Sequence, residues 1–171
     1  MIYQVGALQA FCDSYGVTLQ HMKLHGAFYN TACVTPALAD AVLDGLLAVN
    51  PNIAAMVLSG SYIAKEAERR GIPVIQEVFA DRGYTDEGTL VPRTEPGAFI
   101  KDPQEALERV LMMVTEGKVV TNTGNTIDIV ADSVCVHGDN PEAIAFTNYI
   151  REGLTKAGVT VANFQNRSEE H

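Results

Sequence analysis

Short apolar runs alternate with helix-like segments along most of this chain, and this alternation is the strongest constraint on its fold. Strands are predicted at residues 19–25, 53–58, 73–79 and 133–136, and helical periodicity occupies most of the segments between them. Strands that are apolar throughout and are separated by helices are typical of a parallel sheet with helices packed on its faces. The sequence therefore predicts an α/β fold built from parallel β/α units.

Start signals support several of the predicted helices. Thr35 and Asp102 each precede a proline, as an N-cap precedes a first helical turn, and Asp102 with Glu105 forms a capping box. The first helix is predicted at residues 2–15, with an apolar stripe but no capping residue before it. The last helix is predicted to start at Pro141. Shorter elements are also predicted: a hairpin formed by residues 118–121 and 126–130, and a final strand at residues 159–162.

Composition limits the classes of function. The chain has 171 residues, of which 47% are hydrophobic, so we predict one folded domain at residues 1–162 and a frayed tail at residues 163–171. The net charge is −9 and no basic run occurs, which argues against nucleic acid or an anionic membrane as a partner. No apolar stretch is long enough to span a bilayer, and no signal peptide is recognised. The 3 scattered cysteines fit reduced thiols in the cytoplasm.

Polar side chains follow the predicted strands at their carboxyl ends. Ligands of parallel α/β folds bind at this edge of the sheet, whether the sheet is open or closed into a barrel. We therefore expect one cleft that combines side chains from four strand ends: Lys23, His25, Tyr29 and Asn30; Ser59; Glu77, Asp81 and Arg82; and His137 and Asp139.

Several of these side chains also have ordinary structural explanations. Lys23 could be a surface lysine, and His25 could cap the following helix. Asp81 and Arg82 could form a local ion pair, which contributes little when it is exposed. Glu77 lies in an apolar strand, and a buried acid needs a partner such as Arg82 or Lys23.

A metal site is the main chemical alternative. His25, His137, Asp81 and Asp139 could together bind zinc or another divalent ion. No HExxH helix and no clustered Cys/His spacing supports this, so we predict no tightly bound metal. A glycine-rich phosphate loop of the Walker or dinucleotide type is also missing from the sequence.

Three segments carry a resemblance to a known family. "MKLHGAFYN", "EVFADRGYTDEGTLVPR" and "VCVHGDNPEAI" resemble signature blocks of the LamB/YcsF family, in the family's order. Leu24 and Phe28 depart from the residues usual in the first block. The resemblance implies a (β/α) barrel similar to the glycoside hydrolase/deacetylase superfamily. The family's acidic N-terminal segments have no counterpart here, so we expect only the later part of such a barrel.

The resemblance also implies a reaction, which is the ATP-dependent opening of 5-oxo-L-proline to L-glutamate. ATP with Mg²⁺ would be a co-substrate, and 5-oxoprolinase subunits B and C would be partners. For this reaction Glu77 or Asp81 would act as the general base, and His25 and His137 would donate protons, with Asp139 orienting His137. Lys23, Arg82 and Arg93 would bind carboxylate or phosphoryl oxygens. Further substrate contacts would come from Tyr29, Asn30, Ser59 and Tyr84.

Two other functions stay open at this point. One is a metal-dependent deacetylase-like hydrolase of similar architecture. The other is a non-catalytic remnant, serving at most as a partner in an assembly. Because the strands of a partial barrel have unpaired edges, we expect the chain on its own to associate as a homo-oligomer or to aggregate, and to show no 5-oxoprolinase activity even when subunits B and C are supplied.

Overall fold

The computed structural model describes residues 1–137 and 143–164. The chain divides into two compact units, Met1–Gln76 and Glu77–His171, which we call the first and the second unit. Each unit is described separately below. The single domain predicted for residues 1–162 stays a prediction.

The first unit consists of helices packed on parallel strands. In chain order its elements are α1 (Ile2–Tyr15), β1 (His21–Lys23), α2 (Gly26–Val34), α3 (Pro36–Val49), β2 (Ala54–Leu58), α4 (Tyr62–Arg69) and the start of β3 (Val74–Phe79). Strands β1 and β2 pair in parallel, with Met22 opposite Ala55. The core is made of aliphatic side chains from α3, β2 and α4, among them Leu43, Leu46, Leu58 and Ile63, each at most 1% exposed.

An ionic cluster joins α3 to α4 on the outside of the first unit. Arg70 donates to Glu66 on α4 and to Asp40 and Asp44 on α3, with N···O distances of 2.6 to 2.7 Å. Arg69 donates to Glu66 as well. These hydrogen bonds, first that from Arg69 and then that from Arg70, lower the pKa of Glu66 to about 2.

Helix α1 forms where the sequence predicts it, but its apolar stripe is exposed. Leu8 is 52%, Phe11 66% and Tyr15 80% exposed, and none of the residues of α1 is buried. The helix touches α3 at its edge, where Asn50 donates to Gln9 across 3.0 Å. The periodicity of the sequence therefore identifies the helix correctly without showing what covers it.

Helix α2 was not predicted as a separate helix. It begins directly after β1 because Gly26 has a φ of 62°, a conformation that lets the chain turn sharply. Tyr29, Ala32 and Cys33 bury one face of this short helix. No single helix in the described residues is long and apolar enough to cross a bilayer, whereas α2 and α3 satisfy length and composition together as a pair bent by 112°.

The second unit contains the rest of β3 and five further elements. These are α5 (Pro103–Glu116), β4 (Lys118–Val120), β5 (Thr126–Asp128), β6 (Ser133–Cys135) and α6 (Ala143–Lys156). Strands β4 and β5 form the predicted hairpin, and β3 pairs in parallel with β6. Helices α5 and α6 pack so closely that a Cβ at Gly153 would lie 2.4 Å from the Leu107 methyl groups.

The strand predicted at residues 159–162 is wrong. Gly158 adopts a left-handed φ of 80°, and the Val159 N–H donates to the Leu154 carbonyl across 2.9 Å, which ends α6. The described residues beyond it form no strand. The predicted start of α6 near Asp139 to Pro141, and most of the predicted frayed tail, lie outside the described residues.

Four strands form one sheet, in which the order of hydrogen-bonded neighbours is β1-β2-β3-β6. Strand β3 has residues in both units. Helices connect successive strands of this sheet. The predicted α/β fold of parallel β/α units is confirmed.

Candidate functional site

The second unit contains a cavity of about 770 Å³. Its wall combines acids, cations, aromatic rings and one imidazole, contributed by the residues after β3, the start of α5, the end of β6 and helix α6. The side chains that define its chemistry are Asp81, Arg93, Phe99, Lys101, Asp102, His137, Phe146 and Tyr149.

Asp81 and His137 meet in this cavity because of the strand register. Phe79 and Cys135 are paired Cα partners at the ends of β3 and β6, and Asp81 and His137 lie two residues beyond them. The Ala80 N–H donates to the Cys135 carbonyl across 3.1 Å, which extends the pairing by one step. The two side chains then lie 2.6 Å apart, from His137 Nδ1 to Asp81 Oδ2.

The environment of this pair orients the imidazole. The His137 ring stacks on Phe79, with centroids 5.8 Å apart and planes inclined by 24°. Both side chains remain partly exposed, His137 by 29% and Asp81 by 20%. The second carboxylate oxygen of Asp81, Oδ1, is buried and accepts no hydrogen bond within the described part of the chain. A carboxylate on Nδ1 fixes the ring and favours proton transfer at Nε2.

One wall of the cavity is basic and aromatic. The guanidinium of Arg93 lies 5.6 Å from the Phe99 ring centroid, and Lys101 follows two residues later. Phe146 and Tyr149 line the cavity from α6. Such a wall suits a small ligand that has both an apolar ring and a negative charge.

Arg82 and Tyr84 were predicted as site residues, but they pack inside the loop that follows β3. Arg82 is 3% exposed and donates from Nε to the Ala98 carbonyl and from Nη2 to the Val91 carbonyl, at 2.9 and 2.6 Å. Tyr84 is 0% exposed, and its hydroxyl oxygen accepts the Phe79 N–H at 2.9 Å. Burial raises the pKa of Tyr84. Both side chains therefore hold the loop together and neither lines the cavity.

Asp86 fixes the same loop to the β4–β5 hairpin. Its carboxylate accepts hydrogen bonds from the hydroxyl groups of Thr121 and Thr123 and from the Asn125 amide. These bonds, with that from Thr121 first, lower the pKa of Asp86. The loop between β3 and α5 is therefore ordered by side-chain contacts although it has no long regular element.

The structure places Glu77, one of the predicted site residues, but does not describe Asp139, another of them. Glu77 lies on β3 opposite Ser133, is 2% exposed and does not line the cavity. Its predicted role as general base stays a prediction. Asp139, predicted to orient His137, lies outside the described residues. Among the described residues, Asp81 contacts His137 Nδ1.

The remaining predicted site residues belong to the first unit. Lys23 ends β1, and its Nζ lies 5.8 Å from the ring centroid of Tyr29 on α2. Tyr29 is 5% and Ser59 4% exposed, whereas His25 and Asn30 are exposed. The structure thus brings Lys23 and Tyr29 together. The predicted convergence of these residues with Glu77, Asp81, Arg82 and His137 stays a prediction.

Of the eight side chains that define the cavity, sequence reasoning missed five as site residues: Phe99, Lys101, Asp102, Phe146 and Tyr149. Phe99 and Lys101 stand just before the cap of α5, and Phe146 and Tyr149 are three residues apart on α6, a spacing that places them on one helix face. Within residues 1–137 and 143–164, no group of three or more His, Cys, Asp or Glu side chains has an arrangement that could hold a metal.

Comparison with known proteins gives concordant results. The family model described as LamB/YcsF family matches residues 1–169. The A subunit of 5-oxoprolinase from Fusobacterium nucleatum is 57% identical over 161 residues, which are 94% of this chain and 63% of the relative. The protein of the same name from Brevibacillus brevis is 46% identical over 162 residues, 95% of this chain and 64% of the relative.

A solved structure extends the match to the fold. The crystal structure of the lactam utilization protein from Thermus thermophilus has a TM-score of 0.85 and 40% identity, and it covers 95% of this chain and 65% of that one. This likeness confirms the predicted barrel-type architecture. The chain spans a little under two thirds of the length of these relatives. With its three signature segments and this match along nearly its whole length, the chain belongs to the LamB/YcsF family.

Proposed function

We propose that this chain supplies a hydrolytic site that opens the lactam ring of 5-oxo-L-proline to give L-glutamate, in the role of the A subunit of 5-oxoprolinase. The observation that carries the proposal is the pair formed by His137 and Asp81 in a cavity that also presents Arg93. The names of the relatives support the choice of a lactam as substrate.

His137 is the proton-transfer residue in this proposal. Its Nε2 takes a proton from water, and the water oxygen forms a bond to the lactam carbonyl carbon. The ring C–N bond then breaks, and the imidazolium returns the proton to the leaving nitrogen, which becomes the amine of glutamate. Asp81 accepts the Nδ1–H and stabilises the imidazolium while it exists.

The basic wall binds the substrate carboxylate. Arg93 has donors that the rest of the described chain does not use in hydrogen bonds or ion pairs, and a guanidinium can hold a carboxylate by two parallel bonds. Lys101 adds a second positive charge, and Phe146 and Tyr149 contact the ring. The roles predicted from the sequence for Lys23, His25, Tyr29, Asn30, Ser59, Glu77 and Asp139 stay predictions.

ATP, with Mg²⁺, enters as the co-substrate of the enzyme assembled with subunits B and C. Transfer of the γ-phosphoryl group of ATP to the lactam oxygen, with release of ADP, would make the ring carbon a better electrophile, and the group would leave as inorganic phosphate after water has added and the ring has opened. The sequence of this chain contains no glycine-rich phosphate loop, and its cavity residues suit a small ring acid. The scattered spacing of the three cysteines in the sequence, which fits reduced thiols, supports a cytoplasmic location for this assembly.

Reconstitution tests the proposal. The chain is combined with the acidic N-terminal segments usual in the family, with subunits B and C, and with 5-oxoproline, ATP and Mg²⁺, and glutamate is measured by chromatography. We expect glutamate formation that depends on every component. If the wild-type chain yields no glutamate under these conditions, it does not perform the proposed reaction.

A further inference from the structure

We propose that Phe99 is a positioning residue that holds Arg93 on the cavity wall and thereby makes binding selective for a ligand with a carboxylate. The inference rests on the proposed function, because it specifies how the substrate's negative charge is recognised. Phe99 is 43% exposed, and an exposed aromatic ring on a cavity wall is available to a neighbouring cation.

Two guanidinium groups contact the same ring. Arg82 lies 5.2 Å and Arg93 5.6 Å from the Phe99 centroid, measured from each Cζ. Arg82 is buried and donates to two backbone carbonyls, so it is fixed in place. Arg93 is exposed and, among the described residues, forms neither a hydrogen bond nor an ion pair, so its five N–H donors are left for a ligand.

The charges explain why an anion is preferred. The two guanidinium groups repel each other, since both lie within 5.6 Å of the same ring centroid. In keeping with this, burial and then the positive charge of Arg93 lower the pKa of Arg82. The ring faces of Phe99 offset part of this repulsion. A carboxylate bound to Arg93 reduces it further, whereas a neutral ring compound of the same shape does not.

The backbone relates this stack to the catalytic pair. Arg82 and Phe99 face each other in an antiparallel bridge, and the Ile100 N–H donates to the Asp81 carbonyl across 3.0 Å. Gly83 makes this close approach possible, because a Cβ there would lie 2.0 Å from the Gly97 carbonyl oxygen. Asp81, which contacts His137, and Phe99, whose ring lies beside Arg93, are therefore held by the same short backbone bridge.

A pair of ligands tests the inference on the full chain. Binding of 5-oxoproline and of 2-pyrrolidone, which is the same ring without the carboxylate, is measured by calorimetry or NMR titration. We expect Phe99→Leu to weaken 5-oxoproline binding about threefold to tenfold and to leave 2-pyrrolidone unchanged, because leucine keeps apolar volume but has no π face. Phe99→Tyr should restore the wild-type preference, and Arg93→Gln should abolish it. Equal affinity for 5-oxoproline in wild type and Phe99→Leu, or equal losses for both ligands, would overturn the inference.

A third probe separates this inference from the proposed function. Propionate is titrated while the Arg93 Nε resonance is followed by NMR. If 5-oxoproline does not bind but propionate does, and binds more weakly to Phe99→Leu, the lactam proposal fails and the role of Phe99 stands. If propionate causes no shift at Arg93 in the wild type, or binds equally to wild type and Phe99→Leu, the role of Phe99 is wrong. Unchanged melting temperatures of the variants exclude loss of fold as the cause.

Discussion

Two ionic clusters in this molecule use their charges in different ways. On the first unit, Arg70 directs Nε, Nη1 and Nη2 to Glu66, Asp44 and Asp40, and the cluster forms a closed set of pairs. In the second unit, Asp81 directs one oxygen to His137 and keeps the other buried without a hydrogen bond in the described chain.

This difference in how completely the charged groups are paired indicates a candidate site more reliably than the number of charges in a cluster does. The Arg70 cluster contains more charges, but each is neutralised by a neighbour, so the cluster ties two helices together. The Asp81–His137 pair is partly exposed in a cavity and lies beside Arg93, whose donors are not used elsewhere in the described residues. Polar groups whose bonding capacity is incompletely used are the ones that can bind and transform a ligand.

The largest expected effect is the loss of turnover when His137 or Asp81, the proposed proton-transfer pair, is substituted. In the reconstituted enzyme, His137→Asn and Asp81→Asn should each lower glutamate formation by about 10²-fold or more, since they remove the proton acceptor or the acid that stabilises it. The matched control is Asp44→Asn in the other cluster, which should keep the wild-type rate. Near-normal turnover in both site variants would remove the pair from the mechanism, and Glu77→Gln would then test the alternative base.

A smaller effect, on the stability of the fold, is expected for the buried side chain of Tyr84 in the loop between β3 and α5. Tyr84→Phe removes the hydroxyl that accepts the Phe79 N–H, and with it one buried hydrogen bond. The free energy of unfolding should fall by about 0.5–1.5 kcal/mol, as measured by urea denaturation. Tyr3→Phe on the exposed helix α1 is the control, because Tyr3 is 87% exposed. Equal stability of both variants would show that Tyr84 does not hold the loop.

The smallest effect is a pH dependence in the Arg70 cluster. The pKa of Glu66 is lowered from 4.5 to about 2 by its arginine partners, so its charge stabilises the fold fully above pH 4.5 and the stabilisation is lost as the pH falls towards 2. Glu66→Gln should therefore melt below the wild type by a modest margin at pH 6, and the margin should shrink at pH 3. A margin that is constant across this range would mean that the ion pairs contribute no net stability.

The sequence predicts the elements whose signals are local. The cap at Asp102, the turn of the β4–β5 hairpin and the apolar strands each depend on a few adjacent residues, and all are observed. Helix α2 was missed because it is short and follows β1 without a linker. The strand predicted at residues 159–162 failed because local β propensity does not supply a neighbouring strand.

The site was predictable only as far as the strand ends determine it. The proximity of Asp81 and His137 could be predicted because both follow parallel strands, where register brings them together. Arg82 has the same sequence signal, but its donors are bound to carbonyls far along the chain. Phe99 and Lys101 reach the cavity through the path of a long loop, which depends on those tertiary bonds and leaves no periodic pattern in the sequence.

The protonation state of His137 tests the central claim most directly. Nitrogen-15 NMR of the imidazole, recorded with and without 5-oxoproline, reports which ring nitrogen carries the proton. Our account predicts a proton on Nδ1 that is donated to Asp81, an Nε2 resonance that moves when 5-oxoproline is added, and loss of the Nδ1–H preference in Asp81→Asn. A ring protonated at Nε2 in the wild type, or an Nε2 resonance that does not respond to a saturating substrate, would contradict the assignment of this pair as the proton-transfer site.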